Sequence, residues 1–92
     1  MDKTIYYYLR VLRKKDVKEL ADELLVSPSY VNAIENGKKE PSVRLFRDYA
    51  NALGLKQETL KRLVNNSKHM SIEKIIYLLL KESFGEEELE SK

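Results

Sequence analysis

The sequence predicts an all-α fold, and three observations support that prediction. From Val17 onward, apolar or small residues recur at Leu20, Ala21 and Leu24, which is the spacing of one face of a helix. Short polar residues stand where helices would begin, as at Asp16. The 92 residues include only three glycines and two prolines and show no alternating apolar runs, so we expect a small helical domain with an appendage.

The stretch from Asp16 to Ser42 reads as two short helices joined by a turn. The first helical pattern breaks at residues 25–26 and restarts at Ser27-Pro28, a serine cap followed by proline at the first helical position. Gly37 would end the second helix in a left-handed conformation. Two short helices joined in this way form a helix-turn-helix, whose second helix can lie in the major groove of DNA.

Six short motifs lie within and after this stretch: Val26-Ser27, Tyr30-Val31, Ile34-Glu35, Gly37-Lys38, Pro41-Ser42 and Leu53-Gly54-Leu55. In order and spacing they resemble the Cro/C1-type (Xre) helix-turn-helix family. The resemblance covers about residues 4–64 and implies a five-helix, lambda-repressor-like domain.

Periodicity and capping residues predict four helices besides these two, over about residues 4–14, 42–53, 57–64 and 71–84. We therefore expect a DNA-binding domain over residues 1–65. Residues 66–92 would hold the end of a polar linker that starts at Asn65, an apolar C-terminal helix and an acidic tail. His69 falls in the linker and would be solvated.

The resemblance places four residues of the second helix against base edges, namely Pro28, Ser29, Asn32 and Ala33. Asn32 can pair with adenine through two hydrogen bonds, and the Ala33 methyl can sit against a thymine methyl, so we expect an A/T-containing half-site. The alternative is a solvated helix face. That alternative loses weight because Lys and Glu, which usually occupy solvated faces, are absent from this one.

Phosphate contacts are expected on both sides of these positions, at Ser27, Asn36, Lys38, Lys39 and Arg44. For Lys39, a plain surface role is as well supported as a phosphate contact. Charge agrees with the assignment in sign, since residues 1–64 hold 13 Lys and Arg against 9 Asp and Glu, whereas residues 65–92 hold 4 against 6.

The resemblance also implies a structural ion pair between Arg13 and Glu35, which would hold the first helix against the recognition helix. Two departures from the family pattern stand out. Val17 replaces a glutamine that often touches phosphate, after a shortened connection. Leu25 replaces the glycine of the turn, so either the turn geometry differs or packing offsets the strain of a positive φ.

The C-terminal helix is apolar nearly all round, so it needs more than one neighbour. We expect a second copy of the chain to contact its main stripe, formed by Ile72, Ile75, Ile76, Leu79 and Leu80. The alternatives are that this helix folds back on its own domain, or that it binds a different protein.

Several function classes are disfavoured. There is no cysteine and one histidine, so no metal or other cofactor is expected, and no glycine-rich phosphate loop or carboxylate pair indicates an enzyme. A signal peptide and a membrane span are not evident, which indicates a cytoplasmic protein. We expect a transcriptional repressor that binds a near-palindromic operator as a homodimer. The alternative is a protein-interaction module or antitoxin-type regulator of the same fold.

Overall fold

The computed structural model describes residues 3–68 and 70–81. The predicted all-helical class is confirmed within this part of the chain, which contains six helices and no strand. They are α1 (Ile5–Leu12), α2 (Val17–Leu24), α3 (Pro28–Glu35), α4 (Val43–Ala52), α5 (Gln57–Ser67) and α6 (Ile72–Leu80). None of the helices in the described ranges is long and apolar enough to cross a membrane.

Side-chain caps determine where four of the helices begin. Asp16 forms a capping box with Glu19, in which each side chain accepts a hydrogen bond from the other residue's backbone N–H. The hydroxyls of Ser27, Ser42 and Ser71 each accept from the backbone N–H three residues later. These caps satisfy N–H groups that a helix leaves without an internal partner, so the sequence and the helix starts agree closely.

A single apolar core joins all six helices. The fully buried side chains at its centre include Leu20, Val31, Tyr49, Leu53 and Leu60. α2 packs against both α3 and α4, whereas α1 contacts α3, α5 and α6. α1 therefore contacts both the second helix of the helix-turn-helix and the two C-terminal helices.

The expected linker is shorter than the sequence indicated. α5 continues through Asn65 and Asn66 to Ser67, whose side chain is buried. The Ser67 hydroxyl donates to the Val64 carbonyl at 3.2 Å, which satisfies a polar group that would otherwise disfavour the helix interior. His69 lies outside the described residues.

α6 folds back on its own domain and packs on α1 and α5. Ile75 and Leu79 are 4% and 5% exposed, so the prediction that a second copy contacts these two residues is wrong. Ile72, Ile76 and Leu80 remain close to half exposed, and Tyr77 is 66% exposed. The expected extension of the helix to Phe84 and Gly85, and the acidic tail, lie outside the described residues.

Candidate nucleic-acid interface

The turn between α2 and α3 has a left-handed residue at Leu25, with φ of 60° and ψ of 42°. Two hydrogen bonds define the turn: the Leu25 N–H donates to Asp22 at 3.2 Å and the Val26 N–H donates to Ala21 at 3.0 Å. Leu25 is 86% exposed. We expected either a different turn geometry or packing that offsets the strain. Neither is found, because the turn keeps the positive φ of a glycine and the exposed leucine side chain gains little from packing.

α3 begins immediately after this turn. The Ser27 hydroxyl accepts from the Tyr30 N–H at 3.2 Å and lies 3.3 Å from the Ser29 hydroxyl, while Pro28 occupies the first turn. Ser27, Pro28 and Ser29 are all exposed. The N-terminal end of α3 thus presents two hydroxyls and the positive end of the helix dipole to solvent, a combination that attracts anions.

The two faces of α3 differ sharply in chemistry. Val31, Ile34 and Glu35 are buried, at 0%, 1% and 2% exposure. On the outer face Pro28, Ser29 and Asn32 are exposed, whereas Ala33 is half-buried. The outer face is therefore a row of short side chains on a helix whose other side is fixed in the core.

Glu35 is held by Arg10, not by Arg13. The Arg10 Nε donates to one carboxylate oxygen at 2.6 Å, and its Nη2 donates to the other at 3.1 Å. The Arg10 Nη1 also donates to the Lys15 carbonyl at 2.8 Å. This two-pronged contact raises the pKa of Arg10 and links α1, α3 and the α1–α2 connection through one guanidinium.

The expected Arg13–Glu35 pair is wrong because Arg13 lies at the other end of α1. The C-terminal end of α3 meets the start of α1 at Thr4, and a helix rises about 1.5 Å per residue. Arg10 is therefore about 9 Å along the axis from that contact, whereas Arg13 is about 14 Å away. Arg13 instead donates from Nε to the Leu53 carbonyl at 2.8 Å, where α4 ends.

Thr4 fastens the C-terminal end of α3. Its backbone N–H donates to the Glu35 carbonyl at 2.8 Å, and its hydroxyl donates to the carbonyls of Ile34 and Glu35 at 3.1 and 3.2 Å. Gly37 follows with φ of +76°, and a Cβ there would lie 3.5 Å from the Thr4 methyl. The end of the recognition helix is thus fixed by residues that precede α1.

The expected phosphate contacts lie on both sides of the outer face. Lys38 and Lys39 are exposed in the turn after α3, and the backbone N–H of each donates to the Ala33 carbonyl. The Lys39 ammonium lies 5.7 Å from the centre of the Tyr30 ring. Arg44 is exposed in the first turn of α4. All three cations are therefore accessible to solvent, and their contact with phosphate stays a prediction.

The comparison with protein families gives a match that covers more than half of the 92-residue chain. The family model described as Helix-turn-helix matches residues 7–60. The chain belongs to the Cro/C1-type helix-turn-helix family. Proteins of this family are DNA-binding regulators, and the predicted family resemblance is confirmed. Searches among curated proteins and among solved structures return no match.

Within this family framework, sequence reasoning missed two residues near the interface. Lys3 donates from Nζ to Asn36 Oδ1 at 2.7 Å, which adds a cation at the C-terminal end of α3 and leaves the Asn36 amide NH₂ available. The second residue is Thr4, which ties α3 to α1. Neither contact has a signal in the sequence, because each joins residues at least 30 positions apart.

A buried tyrosine pair lies behind the recognition helix. The Tyr6 and Tyr49 rings are 4.9 Å apart, centre to centre. Burial, together with the charge of Glu40, raises the pKa of Tyr6 to about 12, and burial followed by the charge of Glu35 raises the pKa of Tyr49. The Tyr49 hydroxyl is fully buried and makes no hydrogen bond to any described residue. Both phenols therefore stay neutral under physiological conditions.

Proposed function

We propose that this Cro/C1-type protein is a sequence-specific transcriptional regulator that reads DNA with the outer face of α3. The observation that supports the proposal is the contrast between the two faces of that helix. The inner face carries a buried ion pair and two fully buried aliphatic side chains, whereas the outer face exposes only short polar or apolar groups. Short side chains allow the helix backbone to approach base edges in the major groove closely.

Each of the four outer-face residues has a distinct role in this proposal. Asn32 pairs with an adenine edge, Ser29 donates or accepts at a neighbouring base, and Pro28 and Ala33 make apolar contacts with thymine methyls. The half-buried position of Ala33 leaves its methyl as the part that can reach a base. The half-site therefore contains A·T pairs.

A second group of residues supplies affinity without sequence information. It comprises Ser27, Asn36, Lys38, Lys39 and Arg44. Phosphate contacts of this kind dominate the salt dependence of binding and orient the recognition helix on the duplex.

We further propose that the protein binds as a homodimer through the outer face of α6. Ile72, Ile76, Tyr77 and Leu80 form this outer face, and each is between 45% and 66% exposed, so the face offers apolar surface that a partner can cover. A two-fold dimer would place two recognition helices on half-sites about 34 Å apart, or a multiple of that distance, on a near-palindromic operator. Binding over a promoter would exclude polymerase and make the protein a repressor.

The test is fluorescence anisotropy with two labelled duplexes, one from the DNA flanking the protein's own gene and one of random sequence, at several salt concentrations. Tighter binding to the flanking duplex with a steep salt slope supports a sequence-specific autoregulator. Asn32→Ala should then cost about 1 to 3 kcal/mol on the specific duplex only. Lys38→Ala, the matched control, should weaken binding to both duplexes and lower the salt slope by about one.

A second candidate function follows from the same exposed face of α6. If α6 binds a different protein, as in an antitoxin-type regulator, Ile76→Ser would abolish that complex and leave DNA binding by the monomer unchanged. Equal losses on both duplexes for Asn32→Ala would remove its base-reading role. Absence of binding to either duplex at low salt would favour the protein-interaction function.

A further inference from the structure

A groove of about 580 Å³ opens on the side of the domain where α6 begins. Its walls come from the residues just before and at the start of α1, the turn between α3 and α4, the second half of α5 and the residues that lead into α6. The base-reading residues of α3 do not line it. Its volume lies within the range of roughly 300 to 1,000 Å³ that is usual for small-molecule sites.

The floor of this groove is apolar. It is formed by Ile5, Phe46, Val64, Met70 and Ile75. Ile5 and Ile75 are buried, whereas Phe46, Val64 and Met70 are only partly buried and so offer apolar surface to an occupant. An apolar body of moderate size would displace water from that surface at a gain in free energy.

The rim of the groove is strongly positive. Four lysines line it, Lys3, Lys39, Lys61 and Lys68, against a single acid, Glu40. Among the described residues neither Lys61 nor Lys68 has an acidic partner. Unpaired cations around an apolar floor favour a ligand that carries a negative charge at one end.

Tyr6 adds a hydrogen-bond donor to the same site. It lines the groove, and burial together with the Glu40 charge raises its pKa to about 12. Its phenol therefore keeps its proton at neutral pH and can donate to an anionic oxygen.

We propose that this groove binds a small amphipathic anion, a short hydrocarbon or aromatic body with an acidic head group, and that its occupancy weakens DNA binding. The charge complementarity of the rim and the apolar floor determine the class of ligand. A second copy presenting the outer face of α6 does not fit this groove, because that face is apolar and brings no negative charge to four lysines.

The coupling to DNA rests on the proposed function and follows from two lysines that belong to both places. Lys3 contacts Asn36 at the end of α3, and Lys39 lies in the turn that follows it. An acidic head group in the groove attracts both ammonium groups away from the phosphate backbone. The bound ligand therefore removes part of the salt-dependent affinity.

Binding is tested first without DNA. The fluorescent probe is 8-anilinonaphthalene-1-sulfonate, an aromatic anion, and the competitors are octanoate, octanol and octyltrimethylammonium. Octanoate should displace the probe, and the neutral and cationic competitors of the same chain length should be at least tenfold weaker. Lys61→Gln with Lys68→Gln should reduce octanoate affinity about tenfold or more, since the variant lacks two of the charge-assisted contacts to the carboxylate.

The matched control is Lys56→Gln with Lys74→Gln, which removes two exposed lysines outside the groove and should leave octanoate affinity unchanged. Ile76→Ser on the outer face of α6 should also leave it unchanged. Loss of the probe signal in Ile76→Ser, with binding retained in the Lys61/Lys68 variant, would assign the probe to α6 and overturn the proposal. Exclusion of the probe from the unaltered protein, because a segment of the chain itself fills the groove, would overturn it as well.

The coupling is tested by anisotropy with the flanking duplex, at saturating octanoate and at the same concentration of sodium acetate. Octanoate should lower DNA affinity roughly fivefold or more in the unaltered protein, the lower range of ordinary coupling between sites, and should have little effect in the Lys61/Lys68 variant. Octanoate binding with unchanged DNA affinity would overturn the coupling. If the protein binds no DNA, the proposed function fails, and the probe displacement still decides whether the groove is a site.

Discussion

α3 and α6 both pack on α1, but different interactions hold them. α3 is tied at its C-terminal end by hydrogen bonds from Thr4 and by the buried Arg10–Glu35 ion pair. α6 buries Ile75 and Leu79 against its neighbours through apolar contact. Hydrogen bonds and ion pairs require a defined geometry, whereas apolar contact tolerates small shifts. The orientation of α3 is therefore more narrowly constrained than that of α6.

The outer faces of the two helices also differ, since that of α3 is largely polar and that of α6 is apolar. The outer face of α3 carries short polar groups with cations nearby, and the outer face of α6 carries Ile72, Ile76, Tyr77 and Leu80. A rigid polar face suits a partner that must be read by geometry, and an apolar face suits a protein surface that excludes water. The attachment of each helix thus agrees with the partner that we propose for it.

The largest expected effect comes from breaking the ion pair that holds α3. Arg10→Ala leaves the Glu35 carboxylate, 2% exposed, without its partner, and should lower the free energy of unfolding by about 3 to 5 kcal/mol. Arg13→Ala is the matched control, because it removes one hydrogen bond to a backbone carbonyl and should cost only about 1 kcal/mol. Urea denaturation followed by circular dichroism measures both. Equal losses would mean that the pair does not hold α3.

The next effect separates the two faces of α6 with two adjacent leucines. Leu79→Ala should cost about 2 to 5 kcal/mol, since it empties a site in the core. Leu80, 47% exposed, should change the stability of the monomer little when replaced by alanine, and should instead weaken self-association in analytical ultracentrifugation. Unchanged self-association in Leu80→Ala, Tyr77→Ser and Ile76→Ser would exclude α6 as the dimer contact.

A smaller effect on stability should appear at high pH, where Tyr6 ionises. The pKa of Tyr6 is raised to about 12 in the folded protein, against an ordinary value of about 10. The phenol contributes its full stability below pH 10 and loses it as the pH rises towards 12, by roughly 1.4 kcal/mol per pH unit. Tyr6→Phe should therefore show a shallower loss of stability between pH 10 and 12. A loss in Tyr6→Phe as steep as that of the unaltered protein, followed by urea denaturation at each pH, would contradict this role of Tyr6.

The smallest effect concerns the turn into α3. Leu25→Gly should raise the free energy of unfolding by about 1 kcal/mol, because glycine adopts the left-handed conformation without strain and the leucine side chain is 86% exposed. Leu25→Ala keeps the strain and should change stability little. A loss of stability in Leu25→Gly, measured by thermal unfolding, would show that the leucine side chain makes a contact that its exposure does not reveal.

The helix starts could be predicted because their signals are local. Asp16, Ser27, Ser42 and Ser71 each cap the helix that follows, and a cap depends on residues only three positions away. The end of α5 was not predictable in the same way. Asn65 and Asn66 are polar and weak helix formers, and the helix continues because Ser67 is buried and satisfies its hydroxyl internally.

The partner of Glu35 and the inner stripe of α6 depend on how helices cross, which a single sequence does not state. Arg10 and Arg13 lie about 60° apart around α1, so their spacing favours neither. On α6 the pair Ile75 and Leu79 and the pair Ile76 and Leu80 have the same i, i+4 spacing, and only the packing against α1 and α5 selects the first pair. The roles of the residues expected to contact bases and phosphates remain predictions.

The attachment of α3 has a consequence for engineering. Thr4 and Arg10 both lie outside residues 16–42, so the helix-turn-helix is not a self-contained cassette. A peptide cut to that stretch would lose the groups that hold the end of its second helix and should remain largely unstructured. A transplant into another scaffold must carry the first helix with it. New specificities are better obtained by replacing exposed residues of α3 in place.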